Sequence, residues 1–518
     1  MPHLVACCFA LMLAPQESRE APTPIDACDS AVAASTRAAL RLLDRAAACA
    51  PRAATPFVAT FAGTVLVEGH YVRPGDRTTV PVRLTLERGV DGATVVRETR
   101  GAAGRERTTV LRVADDGVRR RVGPDGPWEV LSGDEARREA SAAARLFPAE
   151  LFAAADRARP TCRPGAPIES FGRRLTPVTF LDPAGDACTL LFDADERLAR
   201  AEVLKAHATY GDVCEWTRFD DYATIDGALV PRRVGRFLTT RDATYEHRLE
   251  LAAFRAGASG DADASTPSPT SRPAAPFALV SLEPGIFAVE SVAADARALV
   301  VERPRDLILL EALSGDDVTS SMLAFLAERF PAKKVAVVAC GHHHPSPSGG
   351  LRAVAAAGAE VVVPSDLFAH YDRQLNRDVD FGRPAVAGPK HPRYRLFEGE
   401  TRLEAGDRSV RLIDIGAASD HADRYVVFYF PECGLLFEGD LGWFPAEGVP
   451  RLTGRLRGLA AALAARGVRP RSVVQSWPVA GARRRVDWAV VEGLLRADSD
   501  RSDGGDGAAA SRPASRPR

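Results

Sequence analysis

The sequence predicts a multi-domain protein of mixed α+β class, with an antiparallel, β-rich N-terminal part ahead of a layered C-terminal part. Three observations predict it. At 518 residues the chain is too long for one ordinary core. From about 56 to 256, short runs alternate apolar and polar residues and close on Gly or Asp-Gly, which is hairpin chemistry. From 277 to 498 the pattern changes to strands alternating with helices, as in an α/β layered domain.

Residues 1–20 are a candidate signal peptide with an apolar core from Leu4 to Ala14. No Lys or Arg precedes that core and no small-x-small site follows it, so the signal is imperfect. Export to the periplasm or cell surface is the expectation. Residues 30–48 carry Ala, Leu and Val at helical spacing, so a helix precedes the strands of the domain 21–256. The strands read as "FVATFAGTVLVEG", "TTVPVRLTLERG", "ATVVRETRG", "RTTVLRVADDG" and "VRRRVGPDG". A helical interlude follows at 133–157, and then "ACTLLFDADERLARAEVL", "VCEWTRFDDYATIDGALVPRRVGRFL" and "ATYEHRLELAAF". One helix followed by a long sheet resembles the half-barrel of periplasmic lipoprotein-carrier proteins. Residues 257–276 are a Pro/Ser-rich linker and 499–518 a disordered tail, since neither has anything to bury.

The formal net charge is -1, so no basic excess drives nucleic-acid binding, and no apolar run reaches the ~20 residues of a membrane-spanning helix. A small-molecule substrate or ligand is the expected partner. The nine cysteines form no C-x-x-C pair. Cys28 and Cys49 flank one helix and are too far apart to bond; Cys188 and Cys214 either pair or remain thiols.

In the C-terminal part "ALVVER", "DLILLEA", "KKVAVVAC" and "AEVVVP" read as strands, and 317–330 and 349–357 as helices, with Ser348 placed to cap the second and Gly358 to end it. The strand "KKVAVVAC" delivers His342, His343 and His344 to a loop. In extended backbone i and i+2 share a side, so His342 and His344 can aim at one metal ion while His343 points elsewhere. A third imidazole is available in "SDHADRYVVFYFPECGLLFEGDL", where His421 precedes a hairpin and Asp440 ends it. The remaining histidines, His70, His207, His247, His370 and His391, read as solitary surface or loop residues.

"GHHHPSPSGGLRAV", "SDHADRYVVFYFP" and "LLFEGDL" together resemble the metallo-β-lactamase fold superfamily, whose loop reads H-x-H-x-D-H-x-G-G. The resemblance implies an αββα sandwich over about 277–498. With Gly349 and Gly350 in register, His342 and His344 take the first two places. Ser346 stands for the Asp and Pro347 for the last His. His421 matches the third ligand of the first metal site, Asp440 the bridging carboxylate, and Ser476 or Trp477 stands where a final His belongs. Glu311 matches an acidic position beneath the site.

The expected function is an exported, metal-dependent hydrolase with one zinc ion held by His342, His344 and His421, with Asp440 as fourth ligand or water-orienting group. Asp420 is a second candidate for the role of the missing Asp. A zinc held by three imidazoles activates water near neutral pH. The alternative is a non-catalytic, ligand-binding descendant with a degenerate metal site. The run Arg483–Arg485 is a candidate attractor for an anionic substrate.

Overall fold

The computed structural model describes residues 25–50, 56–66, 79–101, 106–123, 126–131, 133–182, 184–207, 211–240, 244–257, 277–291, 294–377, 388–389 and 391–503. The expected signal peptide, nearly all of the linker, and the tail beyond 503 lie outside the described residues. The chain divides into two compact units, the first built largely from residues up to 272 and the second from residues 273 onward. No helix among the described residues is long and apolar enough to cross a membrane.

The first unit carries a 14-stranded sheet whose described pairings are antiparallel. It runs from Trp128–Leu131 back along the chain to Phe57–Leu66, which pairs with Thr244–Ala256, and then back again to Arg163–Pro164. Asp-Gly turns set the register. Asp226 and Gly227 both have positive φ (52° and 75°) between Ile225 and Ala228, the two-residue turn that matches strand twist. The helix Ile25–Cys49 is continuous, which keeps Cys28 and Cys49 apart. Cys188 and Cys214 remain thiols.

The helical interlude at 133–157 consists of two helices, Gly133–Ala144 and Pro148–Arg157. Pro148 forces Phe147 into extended geometry (φ -150°, ψ 141°), which ends one helix and starts the next. Phe147 is thereby driven into the core, 5.2 Å from Phe57 and 6.2 Å from Phe254 between ring centroids. The strands Arg163–Pro164, Ile168–Ser170 and Arg173–Leu181 were not marked from the sequence, where Pro177 interrupts the pattern.

The second unit has two sheets. The seven-stranded sheet runs in chain order from Phe277–Glu283 to Arg393–Phe397, antiparallel at first and parallel from Leu307–Leu310 onward. The six-stranded sheet runs from Glu400–Ala405 to Val486–Asp487. Alternate residues of one strand enter different cores: Leu299, Leu310 and Val337 face the second sheet, while Val300, Leu309 and Val338 face the helices Asp316–Arg329 and Leu351–Ala356. On the far side Leu456, Leu459 and Leu463 of the helix Gly454–Ala465 cover the second sheet. The layers are therefore helix, sheet, sheet, helix. Strands buried on both faces read as unbroken apolar runs, which is why "LILL" and "VAVV" show no alternation.

Two local expectations change. Residues Pro345–Ser348 form a helical turn of their own, so Ser348 ends that turn rather than capping the next helix. Its Oγ donates to His344 O at 2.8 Å, and the helix Leu351–Ala356 follows Gly350 with no side-chain cap. The final helix Trp488–Asp503 continues five residues into the stretch expected to be tail. Gly358, with φ 95°, closes its helix as expected.

The helix Gly454–Ala465 approaches the turn Gly416–Ser419 so closely that a Cβ on Gly458 would lie 1.7 Å from Ala418 O. Gly458→Ala should therefore destabilise the second unit by about 2–3 kcal/mol, because backbone must move. A denaturant midpoint unchanged from wild type would contradict this packing.

Candidate metal centre

The chain reaches the site at strand ends. The parallel strand Val335–Ala339 leads into the histidine loop, and Leu435–Glu438 leads to Asp440. The strand Val426–Phe430 runs antiparallel to the latter, so its N-terminal approach, with His421, arrives at the same edge. The turn before His421 is tied by Ser419 Oγ, which accepts from the N–H groups of His421 (3.2 Å) and Ala422 (3.0 Å) and donates to Ala422 O. Asp414 fixes the other side by accepting from Gly416 and Tyr425 N–H.

His342, His344 and His421 are all buried, and one nitrogen of each lies within 4.8 Å of the others. His342 Nε2 is 3.1 Å from His344 Nδ1. Asp440 Oδ2 is 3.0 Å from His421 Nε2, and its Oδ1 is 3.9 Å from His342 Nε2. A tetrahedral zinc with bonds of ~2.0–2.1 Å separates its ligand atoms by about 3.4 Å. Three imidazole nitrogens this close together could hold one such ion, with the Asp440 carboxylate beside two of them. Burial pushes His342 well below the usual imidazole range, against the pull of Asp440, so its lone pair is available.

Asp440 is held from several sides. Tyr425 Oη donates to Asp440 Oδ1 and accepts from Asp440 N–H, each at 2.9 Å. The Tyr425 ring stacks on His342 at 4.6 Å. Arg455 Nη1 donates to Asp440 Oδ2 at 3.4 Å. Burial alone would raise the Asp440 carboxyl, but His342, His421 and Arg455 hold it far below the usual carboxylate range. Burial drives the neighbouring carboxyls upward, Glu438 to about 8 and Glu311 well above its ordinary value. The site therefore separates one ionised carboxylate from two that keep their protons more readily.

The other sequence candidates lie as follows. His343 faces His344 (4.8 Å) and His370 (5.7 Å) and is not in the cluster, so His370 is not solitary as expected. His247 sits half-buried within the sheet of the first unit, its imidazole pushed down to about 3 by burial, Arg236 and Arg100. Asp420 is exposed and its carboxylate lies against Gly454. Glu311 is fully buried, and its Oε2 accepts from Gly341 N–H at 3.2 Å. Ser346 is exposed and Pro347 buried; their carbonyls accept from Ser314 and Ala312 N–H. Ser476 Oγ donates to Arg297 O at 2.7 Å. Two of the three arginines of 483–485 are structural: Arg484 pairs with Glu290 and Arg485 with Glu283. Tyr425, Arg455 and Glu438 were missed in the sequence. Tyr425 sits four residues after His421 in a run that reads as core strand, and nothing local marks its hydroxyl as partnered.

No family model matches the sequence, and no curated protein aligns with it. Among the solved structures that align with the chain are metallo-beta-lactamases. One from Pontibacter korlensis is 19% identical, with 42% of this chain and 99% of that chain covered and a TM-score of 0.33. A Pseudomonas aeruginosa enzyme in its mono-zinc form is 16% identical over 44% of this chain and 97% of that one, with a TM-score of 0.33. One from Hirschia baltica is 14% identical over 43% and 97%, with a TM-score of 0.31.

Tyr425→Phe removes the acceptor of Asp440 N–H and the donor to its Oδ1 together. Stability of the metal-free second unit should fall by about 1–3 kcal/mol, and metal affinity about tenfold or more, measured by denaturation and by chelator competition. Unchanged values in both would reduce Tyr425 to a space-filling ring.

Proposed function

We propose that the chain is a metal-dependent hydrolase holding a single zinc ion on His342, His344 and His421, with Asp440 beside it. The observation that carries the reading is the convergence of three buried imidazoles, two of them beside the Asp440 carboxylate, with nitrogens close enough together for one ion. When bound, the ion would supply Lewis acidity and a water acidified toward neutral pH. Burial disfavours protonation of His342, which leaves its lone pair available to the ion. Asp440 orients water rather than storing its proton, since its carboxyl stays ionised well below the usual range. Arg455, half-exposed at the rim, offers a cation to an anionic group of the substrate or to charge developing on it. The reading extends to export of the chain, and to a first unit of half-barrel form that selects or presents substrate.

A single-ion site is favoured by the donors missing at 346, 347 and 476. Non-catalytic ligand recognition is the competing reading, favoured by the same losses, and activity separates the two.

Elemental analysis should find one zinc per chain, and His421→Ala should strip it while His343→Ala retains it. Hydrolysis of an activated ester should fall ~100-fold or more with chelator and return with zinc. Two tightly held ions, or equal metal loss in both variants, would overturn the assignment. Bound zinc without hydrolysis of any ester, thioester, lactam or phosphodiester would favour the binding protein.

A further inference from the structure

The second unit buries nearly all its large apolar side chains, yet Trp443 is 60% exposed, Trp477 41% and Val449 80%. Among its described residues only Leu396 joins them as a large exposed hydrophobe. All three lie in the segments 440–449 and 475–484, which leave the site after Asp440 and after the strand Ser472–Gln475. Those segments are tied to each other. Gln475 Oε1 accepts from Phe444 N–H (3.0 Å), Phe444 O from Arg483 N–H (2.8 Å) and Gly481 O from Ala446 N–H (2.7 Å). They are tied to the metal centre as well: Trp477 N–H donates to Gly439 O at 3.1 Å, and a Cβ on Gly439 would lie 3.5 Å from His342 Cε1.

The backbone bearing both indoles is thus fixed, and it begins within three residues of Asp440. Large aromatic rings on a fixed backbone lose little freedom when covered, and covering them removes a large apolar area from water. Two polar side chains nearby are engaged, Gln475 Nε2 with Trp477 O and Pro478 O, and Arg483 with Gly448 O. Besides the Arg455 cation, what the rim offers a ligand at the two indoles is apolar and flat.

We propose that Trp443 and Trp477 form an aromatic subsite of the candidate metal centre, taking a flat apolar group of the substrate whose reacting bond lies at His421 and Asp440. The subsite deepens the hydrolase reading, but its binding half stands without a metal.

The test uses the full chain with 15N-labelled tryptophan, in chelator, titrated with 2-naphthol. The chain has five tryptophans, so the indole signals can be assigned through Trp443→Phe and Trp477→Phe. The signals of Trp443 and Trp477 should move together to one saturation while that of Trp128, in the first unit, stays. Trp443→Ala should weaken 2-naphthol binding at Trp477 about tenfold. Shifts no larger than that of Trp128 overturn the subsite. Shifts that follow protein concentration without 2-naphthol overturn it too, since the patch would then join two copies. With zinc restored, Trp443→Ala and Trp477→Ala should each lower kcat/KM for 4-nitrophenyl acetate about tenfold more than for 2,2,2-trifluoroethyl acetate, which lacks a ring. Equal losses for the two esters overturn the subsite's role in selection. Absence of hydrolysis in the unsubstituted chain would sink the hydrolase reading and leave the indole shifts to decide the subsite alone.

Discussion

The peptide unit at Gly341 joins the two sheets of the second unit at the point where the histidine loop begins. Its N–H donates to Glu311 Oε2, at the end of one strand of the first sheet, and its carbonyl accepts from Val426 N–H at the start of a strand of the second. There is no room for a side chain, because a Cβ would lie 2.8 Å from Glu311 Oε1 and 3.1 Å from Val426 O. The imidazoles of His342 and His344 come from one sheet, and His421 and Asp440 from the other. Convergence of the four therefore depends on a fixed distance between the sheets at this edge. The interlayer core sets that distance in general, and the Gly341 clamp sets it at the site.

The electrostatics follow from the same placement. Strand ends bring three carboxyls into a largely dry edge, where the charged form of each is costly. Only Asp440 has both a cation, Arg455, and a hydroxyl donor, Tyr425, on its carboxylate, and its carboxyl is held far below the usual range. Glu438 accepts from Leu441 and Gly442 N–H, which shapes the turn bearing Asp440, while burial keeps its own pKa high. Glu438 thus shapes the loop and Asp440 carries the charge. If Glu438 and Glu311 were also ionised, the local negative charge would work against the compact arrangement unless a cation were bound.

The sequence made the layers of the second unit legible because helix and strand periods differ, and strands buried on both faces leave long apolar runs. The histidines and Asp440 were legible because strand ends are short and their spacing survives in the chain. What could not be read was whatever depends on an approach across the fold. Tyr425 looks like any core aromatic until Asp440 is placed above its hydroxyl, and Arg455 looks like a solvated helix residue. Ser348 looked like a cap because the helical turn Pro345–Ser348 was not foreseen. In the first unit, Pro148 announces a helix break, but the burial of Phe147 against Phe57 and Phe254 appears only once the sheet is folded.

Positions 346, 347 and 476, which the motif resemblance matches to metal donors in other chains, do different work here. The carbonyls of Ser346 and Pro347 take the N–H groups of Ser314 and Ala312, so the loop is fastened by backbone to the end of the strand Leu307–Leu310. Ser476 bonds Arg297 O through its hydroxyl, and its carbonyl takes Arg297 N–H at 2.9 Å. The Arg297 guanidinium, 1% exposed, donates to Gln475 O and lies 3.3 Å from Glu290. A buried cation so placed fastens the end of the strand Ser472–Gln475 to the first sheet. A histidine at 476 would have to give up the Oγ bond and find space beside that packed arginine. The replacements are thus built into the fold on both sides of the cleft, and donors at 346, 347 and 476 would require both edges to be rebuilt.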